Sequence, residues 1–544
     1  MRVTKWMWLA ILMSLFLLFF TVGCGAPADP PVEPDEEVDE EEEEEPDEEP
    51  VAEPTRDQIV YIGVSSEPHR LDPRFGAGTV AARNVQTLVH DSLISWDDET
   101  LEIEYVLAEE VNVIDPQTYE VKLREGVLFH NGEELTTADV EYTYNTLRDP
   151  DAAASNFSHY APIVEIEVHD DYSLTFHLEA PNMPFLYRLR ADIVSKSYSE
   201  EHATDDNPYG DDYTNMNPLG TGPFKFVEWR TGEEIILEAN DDYWQGRPKL
   251  DRVIFRPIPD ATTRTVELQT GEIHINEEID PVQVAITEAD ENVVVSRRSQ
   301  MGFQSMGIHV NLGEPTDDVR VRQAIAHMMP REDIIDYVMH GLGEPAYGPI
   351  PPGHWAHEPN VPRFEYDPAR AQELLADAGY PDGFEAELYV IEDSVRVQLC
   401  EIIQEELATI GIDVNINVLE GGAFWDQMRT GESQMFQTGW NAVTDPDDFM
   451  WRQFHSNSVP PHGANRQFYQ NPEFDAIIEE ALQTTEQSKR KELYSEAQKM
   501  VVEDASYVFI YHHQRALGQS PDLRDFEYSI YFNFRSLMDA YLAD

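Results

Sequence analysis

The stretch that most restricts this chain lies at its N-terminus. Arg2 and Lys5 precede an apolar run from Trp6 to Phe20 that is broken only by Ser14, and Thr21-Val22-Gly23-Cys24 follows. A basic start, an apolar middle and small residues before a cysteine make an export signal. In the lipobox reading, residues 1–23 are removed and Cys24 is lipidated as the mature N-terminus. Thr21 departs from the Leu usual three places before such a cysteine. The alternative is an uncleaved anchor helix, because Trp6 to Val22 is just long enough to span. Either way the remaining chain folds beyond the cytoplasmic membrane, tethered to its outer face. Cys24 and Cys400 are the only cysteines, so if Cys24 carries lipid the exported body has one thiol and no internal disulfide. Cys400 shares a helical face with Val397, Ile403, Leu407 and Ile410, which is the pattern of a packed core thiol.

Residues 25–57 carry seven prolines and the run Glu40 to Glu45. Residues 29–57 hold 17 Asp and Glu against one basic residue, Arg56. Such a segment has almost nothing apolar to bury and is expected to be a disordered, self-repelling tether, 24–57. The whole chain has 105 acidic and 37 basic residues, a formal charge of −68. Nucleic acid and anionic membrane surfaces are poor partners for such a field. An acidic, lysine-poor exterior suits high salt, where self-repulsion is screened.

From Gln58 the pattern becomes globular. Residues 58–64 read as a buried strand, and 79–93 as a helix with Val85, Leu88 and Val89 on one face. Residues 119–124 alternate as a strand and run on to an Asn131-Gly132 turn. Thr136 to Asp139 form an N-cap signal before a helix at 140–148, and 174–178 is a further strand. Gly220 and Gly222 suggest positive φ in a tight connection, directed by Pro223. Asp318 and Asp367 each precede an apolar helical pattern, the second with Pro368 at its first position and Gly379 as its stop. Strands interleaved with helices indicate an α/β protein.

Several of these stretches, in order, resemble one family. They are Ser65-Ser66-Glu67-Pro68 with Leu71-Asp72-Pro73, then Leu123-Arg124-Glu125-Gly126-Val127-Leu128-Phe129-His130-Asn131-Gly132, with Ala138-Asp139-Val140 after it. Gly220-Thr221-Gly222-Pro223-Phe224, Asn240 with Tyr243-Trp244, Asp318 to Ile325, and Tyr366 to Ala371 with Ala378-Gly379-Tyr380 extend the match. The chain from about 58 to its C-terminus is similar to the family 5 extracellular solute-binding proteins, the peptide- and glutathione-binding components of ABC importers. The resemblance implies a two-lobe periplasmic-binding-protein fold with a hinge. Lobe one would take 58–95, 218–297 and 508–544, with an extra domain at 96–217. Lobe two would take 298–507, with crossings near 298 and 507. It also implies a small, peptide-like solute, delivery to an ABC permease with its cytoplasmic ATPase, a monomer, no cofactor and no catalysis.

The resemblance places the solute among four groups of residues. Ser65, Ser66 and Glu67 end the first strand, where they are equally suited to be turn formers. Gln304 and Ser305 follow the first crossing. Gly439, Trp440, Asn441, Ala442, Val443, Thr444 and Asp445 correspond to the family's main ligand loop. A Trp above a turn is, on these residues alone, as well explained by core packing. Asn465 and Arg466 lie in a loop near the cleft, and Arg466 is suited either to a solute carboxylate or to a surface ion pair. Peptide-binding members carry an Asp three residues after the loop Trp, where it pairs with the α-ammonium. Here that position is Val443. Either Asp445 takes the role or the solute lacks a free α-ammonium there.

Other functions are less well supported. The sequence contains no Gly-x-Ser-x-Gly elbow, no P-loop and no His-Glu-x-x-His. A haem or metal-complex carrier would draw on His354, His357, His512 and His513. An oligosaccharide binder or sensor on the same scaffold would use the faces of Trp425, Trp440 and Trp451.

Overall fold

The computed structural model describes residues 56–75, 80–97, 102–154, 156–313, 315–441, 445–529 and 533–543. Cys24 and the expected tether up to Thr55 lie outside these residues.

Strand β1, Ile59–Val64, runs parallel to Arg252–Pro257 on one side and to Ile275–Asn276 on the other. That interior position accounts for its unbroken apolar run. Helix α1, Val80–Val89, buries Val85, Leu88 and Val89 as the spacing predicts. It ends four residues before the expected Leu93 because the Val89 carbonyl accepts the Gly222 N–H at 2.9 Å, outside the helix.

That contact corrects the reading of Gly220 and Gly222. Neither has a positive φ. They are glycines because the chain passes too close to α1 for a side chain. A Cβ on Gly220 would overlap the Val89 carbonyl oxygen, and one on Gly222 would stand 2.5 Å from the Leu88 carbonyl oxygen.

An antiparallel sheet in the order Ala108–Asp115, Thr118–Leu123, Ser173–Leu178, Ile163–Asp170 forms a separate layer. Alternation sends Tyr119, Val121 and Leu123 inward, against Val140, Tyr144 and Leu147 of the helix Thr137–Leu147. The Thr136 N–H donates to the Asp139 carboxylate at 3.0 Å and fixes the start of that helix.

The main sheet runs Ile412–Leu419, Phe384–Ile391, β3, β2, β4, Ile275–Asn276, β1, Arg252–Pro257, Glu234–Ala239, Phe224–Arg230, where β2 is Gly302–Ile308, β3 is Met435–Asn441 and β4 is Tyr507–Gln519. β4 belongs to both halves. Tyr507–Tyr511 pairs with β2, and Gln514–Gln519 pairs with Val294–Ser299. Val508, Ile510 and Tyr511 pack into one core with Met306, Leu388 and Cys400, while Leu517 packs into another with Val60, Leu88 and Phe255. Cys400 is fully buried in the helix Ser394–Ala408, and burial pushes its thiol up to about 12. Helix α2, Asp447–Phe454, follows β3. The helices Val319–Ala326 and Pro368–Asp377 are capped by Asp318 and Asp367, and Gly379 at φ +97° ends the second.

Replacing Gly220 by Ala is expected to lower stability by about 1–3 kcal/mol through overpacking against α1. A thermal melt of G220A coinciding with the wild type would contradict this account of the turn.

Candidate functional site

Five of the expected contact residues are assembled by one strand pair. β2 and β3 run antiparallel with Gly302 opposite Asn441, Phe303 opposite Trp440, Gln304 opposite Gly439 and Ser305 opposite Thr438. The Gln304 side chain lies across Gly439, where any Cβ would overlap its amide. Its Oε1 accepts the Gln437 Nε2–H at 2.7 Å, and its Nε2 lies 2.9 Å from Nε2 of His513 on β4. Ser305 is fully buried and donates to the Thr438 carbonyl at 3.3 Å. Trp440 is half-buried, with the Arg452 guanidinium 5.5 Å from its ring centre. Its indole N–H is buried without a hydrogen-bond partner among the described residues. Asn441 is exposed. Ala442, Val443 and Thr444 lie outside the described residues.

Asp445 resumes the chain and does not present a carboxylate to solvent. It is fully buried, and both its oxygens accept from Arg490 Nη2, at 3.0 and 2.8 Å. Its Oδ1 also accepts the Asp447 N–H at 2.9 Å, which starts α2. The expectation that Asp445 replaces the missing ammonium partner is therefore corrected: its charge is already matched by a buried guanidinium. Beside it, Asp447 has a buried Oδ1 without a partner among the described residues. Burial, with Asp445 and Asp448 nearby, raises the Asp447 carboxyl to about 8. Asp448 pairs at 2.7 Å with Arg188 of the 3-10 helix Met183–Arg190, and the guanidinium holds its pKa down despite burial. That pair connects α2 to the layer built on the four-stranded sheet.

The remaining expected contacts divide. Ser65 gives its N–H and hydroxyl to Glu277, at 2.5 and 2.7 Å, and Glu277 also accepts from Asn84 of α1 at 3.0 Å. Burial raises the Glu277 pKa. Ser66 is exposed. Glu67 turns to the 224–239 hairpin, accepting from Trp229 Nε1 at 2.5 Å and from the Gly232 N–H at 2.9 Å, so it braces the loop. Asn465 is likewise a correction. It is fully buried, donating to the carbonyls of Phe454, His455 and Tyr469 and accepting the Tyr469 N–H, and so it ties its own loop together. Arg466 is half-buried with its guanidinium 4.6 Å from the Trp425 ring centre, and burial lowers its pKa.

The histidines have structural placements. His512 Nδ1 lies 2.9 Å from the Gly302 carbonyl, and burial lowers both His512 and His513 to about 4. His357 Nδ1 lies 2.7 Å from the Ile350 carbonyl, and the His354 ring stacks near Trp355. Trp451 stacks on His455 at 3.6 Å.

Sequence reasoning missed Glu277, Arg188, Gln437 and Arg490. Only Arg490 left a readable signal: within the helix Gln487–Glu503 it falls on the inward face with Leu493, Tyr494, Ala497 and Val501.

Asp447 sets a pH dependence. Its folded pKa lies above the ordinary carboxylate value of 3.8, so its contribution is fully present below that value and is lost as pH rises through about 8. Relative to wild type, D447N is expected to become progressively more stable between about pH 4 and pH 8. Parallel melting curves for the two proteins across that range would refute it.

Comparison with known proteins gives a consistent group. The model for bacterial extracellular solute-binding proteins, family 5 Middle, matches residues 102–460. The oligopeptide-binding protein AppA of Bacillus subtilis is 30% identical over 470 residues, covering 82% of this chain and 85% of that protein. Its solved structure in complex with a nonapeptide superposes with a TM-score of 0.72 at 28% identity, covering 90% of this chain and 100% of that one. The glutathione-binding protein GsiB of Pectobacterium atrosepticum is 30% identical over 459 residues, covering 82% of this chain and 87% of that protein. HbpA2 of Haemophilus parasuis superposes with a TM-score of 0.82 at 25% identity, covering 89% of this chain and 100% of that one.

Proposed function

Since the chain belongs to the family 5 bacterial extracellular solute-binding proteins, we propose that it is the substrate-binding component of an ABC importer, taking up peptides or related small polar solutes. The observation that carries this reading is the β2–β3 pair. It sets Gln304, Gly439, Trp440 and Asn441 side by side next to β4, the strand shared by both halves of the molecule.

The solute would lie against the Trp440 face and the loop that follows it, with Ser65, Ser66 and Arg466 as further contacts. Lobe one is taken as 58–95, 218–297 and 508–544, the extra domain as 96–217 and lobe two as 298–507. Closure between lobes traps the solute and presents a closed shape to the permease. The names of AppA and GsiB support a peptide-like solute. With Asp445 held by Arg490 and Val443 in the usual place of the Asp, a solute without a free α-ammonium at that position fits better than an α-dipeptide. Lipidation at Cys24, a reach-giving acidic tether, a monomeric state and adaptation to salt complete the proposal, on the strength of the sequence features given above.

Native mass spectrometry of the full chain in detergent, followed by thermal shifts against peptide, glutathione and sugar pools, tests it. A solute at 100 times its Kd is expected to stabilise by about 2.7 kcal/mol. W440A is expected to weaken binding about tenfold, from loss of an aromatic face worth roughly 1–1.5 kcal/mol. A shift with sugars and none with any peptide would overturn the peptide reading.

A further inference from the structure

The ion pair between Arg188 and Asp448 joins two parts of the molecule that are far apart in the chain. Arg188 lies in the last turn of the 3-10 helix Met183–Arg190, inside the 96–217 domain, and Asp448 in the first turn of α2, inside lobe two. The Arg188 Nη2–H donates to Asp448 Oδ1 at 2.7 Å, and the two side chains are only 8% and 9% exposed. A second contact flanks the pair. Arg452, one turn further along α2, has its Nη1 3.5 Å from Nε2 of His159 in the helix Phe157–Tyr160. Burial first, then the Arg188 charge, lowers the His159 pKa to about 3, so the ring is neutral and can accept at Nε2. The seam continues inward, where buried Tyr119 and Tyr187 of the same domain feel the charges of Asp445 and Arg490.

One short stretch of lobe two carries both the solute face and these contacts. Arg452 also stands 5.5 Å from the Trp440 ring centre. Asp445, held by Arg490, accepts at 2.9 Å the Asp447 N–H that starts α2, one residue before Asp448. A few fixed bonds therefore connect the Trp440 loop to the carboxylate that meets Arg188. The chemistry of the pair makes it conditional. With the domains apart, guanidinium and carboxylate are both hydrated. With the domains together both are desolvated, and each needs the other. A buried pair adds little net stability, but one buried charge without its partner is strongly unfavourable. The pair thus favours complete closure in register over partial or misaligned closure.

We propose that Arg188 and Asp448 are positioning residues for solute capture, a latch by which the 96–217 domain holds α2, and with it the Trp440 loop, in the closed molecule. The proposal rests on the lobe boundaries given above and gives the extra domain a role: it completes the site by gripping the helix that follows the loop. Neither residue has to touch the solute.

The test reads domain separation in the full chain in detergent. Nitroxide labels carried by non-natural amino acids at the exposed positions Glu165 and Glu385 report the distance between the 96–217 domain and lobe two. A second pair, at Glu385 and Glu473, reports within lobe two. D448N and R188Q are expected to move the first pair to longer separations and to leave the second unchanged. R188K, and the charge-reversed double variant R188D/D448R, are expected to restore part of the short separation, which shows that the fold survives. With peptides and glutathione as probes, D448N and R188Q are expected to weaken binding about tenfold, through faster dissociation, because the closed form becomes rarer. Superposed distances for wild type, D448N and R188Q, with equal dissociation rates, would overturn the latch and leave the importer reading intact. Movement of the second pair in the variants would overturn the lobe boundaries, and the latch with them. A first-pair separation that lengthens in the variants, with no peptide or glutathione bound by the wild type, would uphold the latch and count against the peptide reading instead.

Discussion

The structure depends on one continuous strand serving several cores. β4 places Val508, Ile510 and Tyr511 in one core, Tyr507 and Phe509 in a second and Leu517 in another. Between those segments lie His512 and His513, where pairing passes from β2 to Val294–Ser299. Two adjacent imidazoles, His512 buried and His513 half-buried, are tolerable there only if neutral, and burial lowers both to about 4. One approaches the Gly302 carbonyl and the other the Gln304 side chain. The crossing is thus tied directly to the pair of strands that carries Trp440.

The electrostatics are arranged by a similar economy. In a chain of charge −68, the buried carboxylates Asp72, Asp91, Asp445 and Asp448 are each matched by an arginine, namely Arg74, Arg535, Arg490 and Arg188. Arginine suits these sites because it stays charged when desolvated and has several donors, and Arg74 bonds Asp72 through both Nε and Nη2. Such pairs add little net stability compared with apolar packing, but removing one partner leaves a buried charge. They therefore fix geometry: Asp445 with Arg490 sets where the Trp440 loop ends, and Asp448 with Arg188 sets how α2 meets the neighbouring layer.

Much of this was legible in the sequence where the signal is local. Strand β1, the capped helices after Asp318 and Asp367, the inward face of Thr118–Leu123 and the buried Cys400 all follow from periodicity and capping. The resemblance supplied the family and the two-lobe α/β fold, which no local pattern could. What escaped was long-range pairing. Glycine at 220 and 222 looked like turn geometry, whereas the cause is the backbone of α1, more than 100 positions earlier. Asp445 and Asn465 carry the residue types of ligand contacts, and burial with protein partners gives them other work. Nothing near Asp445 in sequence announces Arg490.

The Asp445 correction also bears on what the solute can be. A cationic end lodged beyond Trp440 needs an ionised carboxylate, and the nearby acids differ sharply in what they offer. Asp445 and Asp448 are committed to guanidinium groups. Asp447 has an oxygen without a partner among the described residues but is pushed toward its neutral form at about 8, because it is buried from water and its neighbours are already negative. To bind an ammonium there, the protein would first have to ionise Asp447 beside two other carboxylates, which offsets part of the attraction gained. A neutral Asp447 is instead a hydrogen-bond donor, suited to a carbonyl or another acceptor. The Trp440 indole N–H, buried without a partner among the described residues, and the Arg452 guanidinium 5.5 Å from that ring are donors as well. Of the three carboxylates that follow the loop, two are held by arginines and the third is pushed toward its neutral form, which is why the solute proposed above is one without an ammonium at that end.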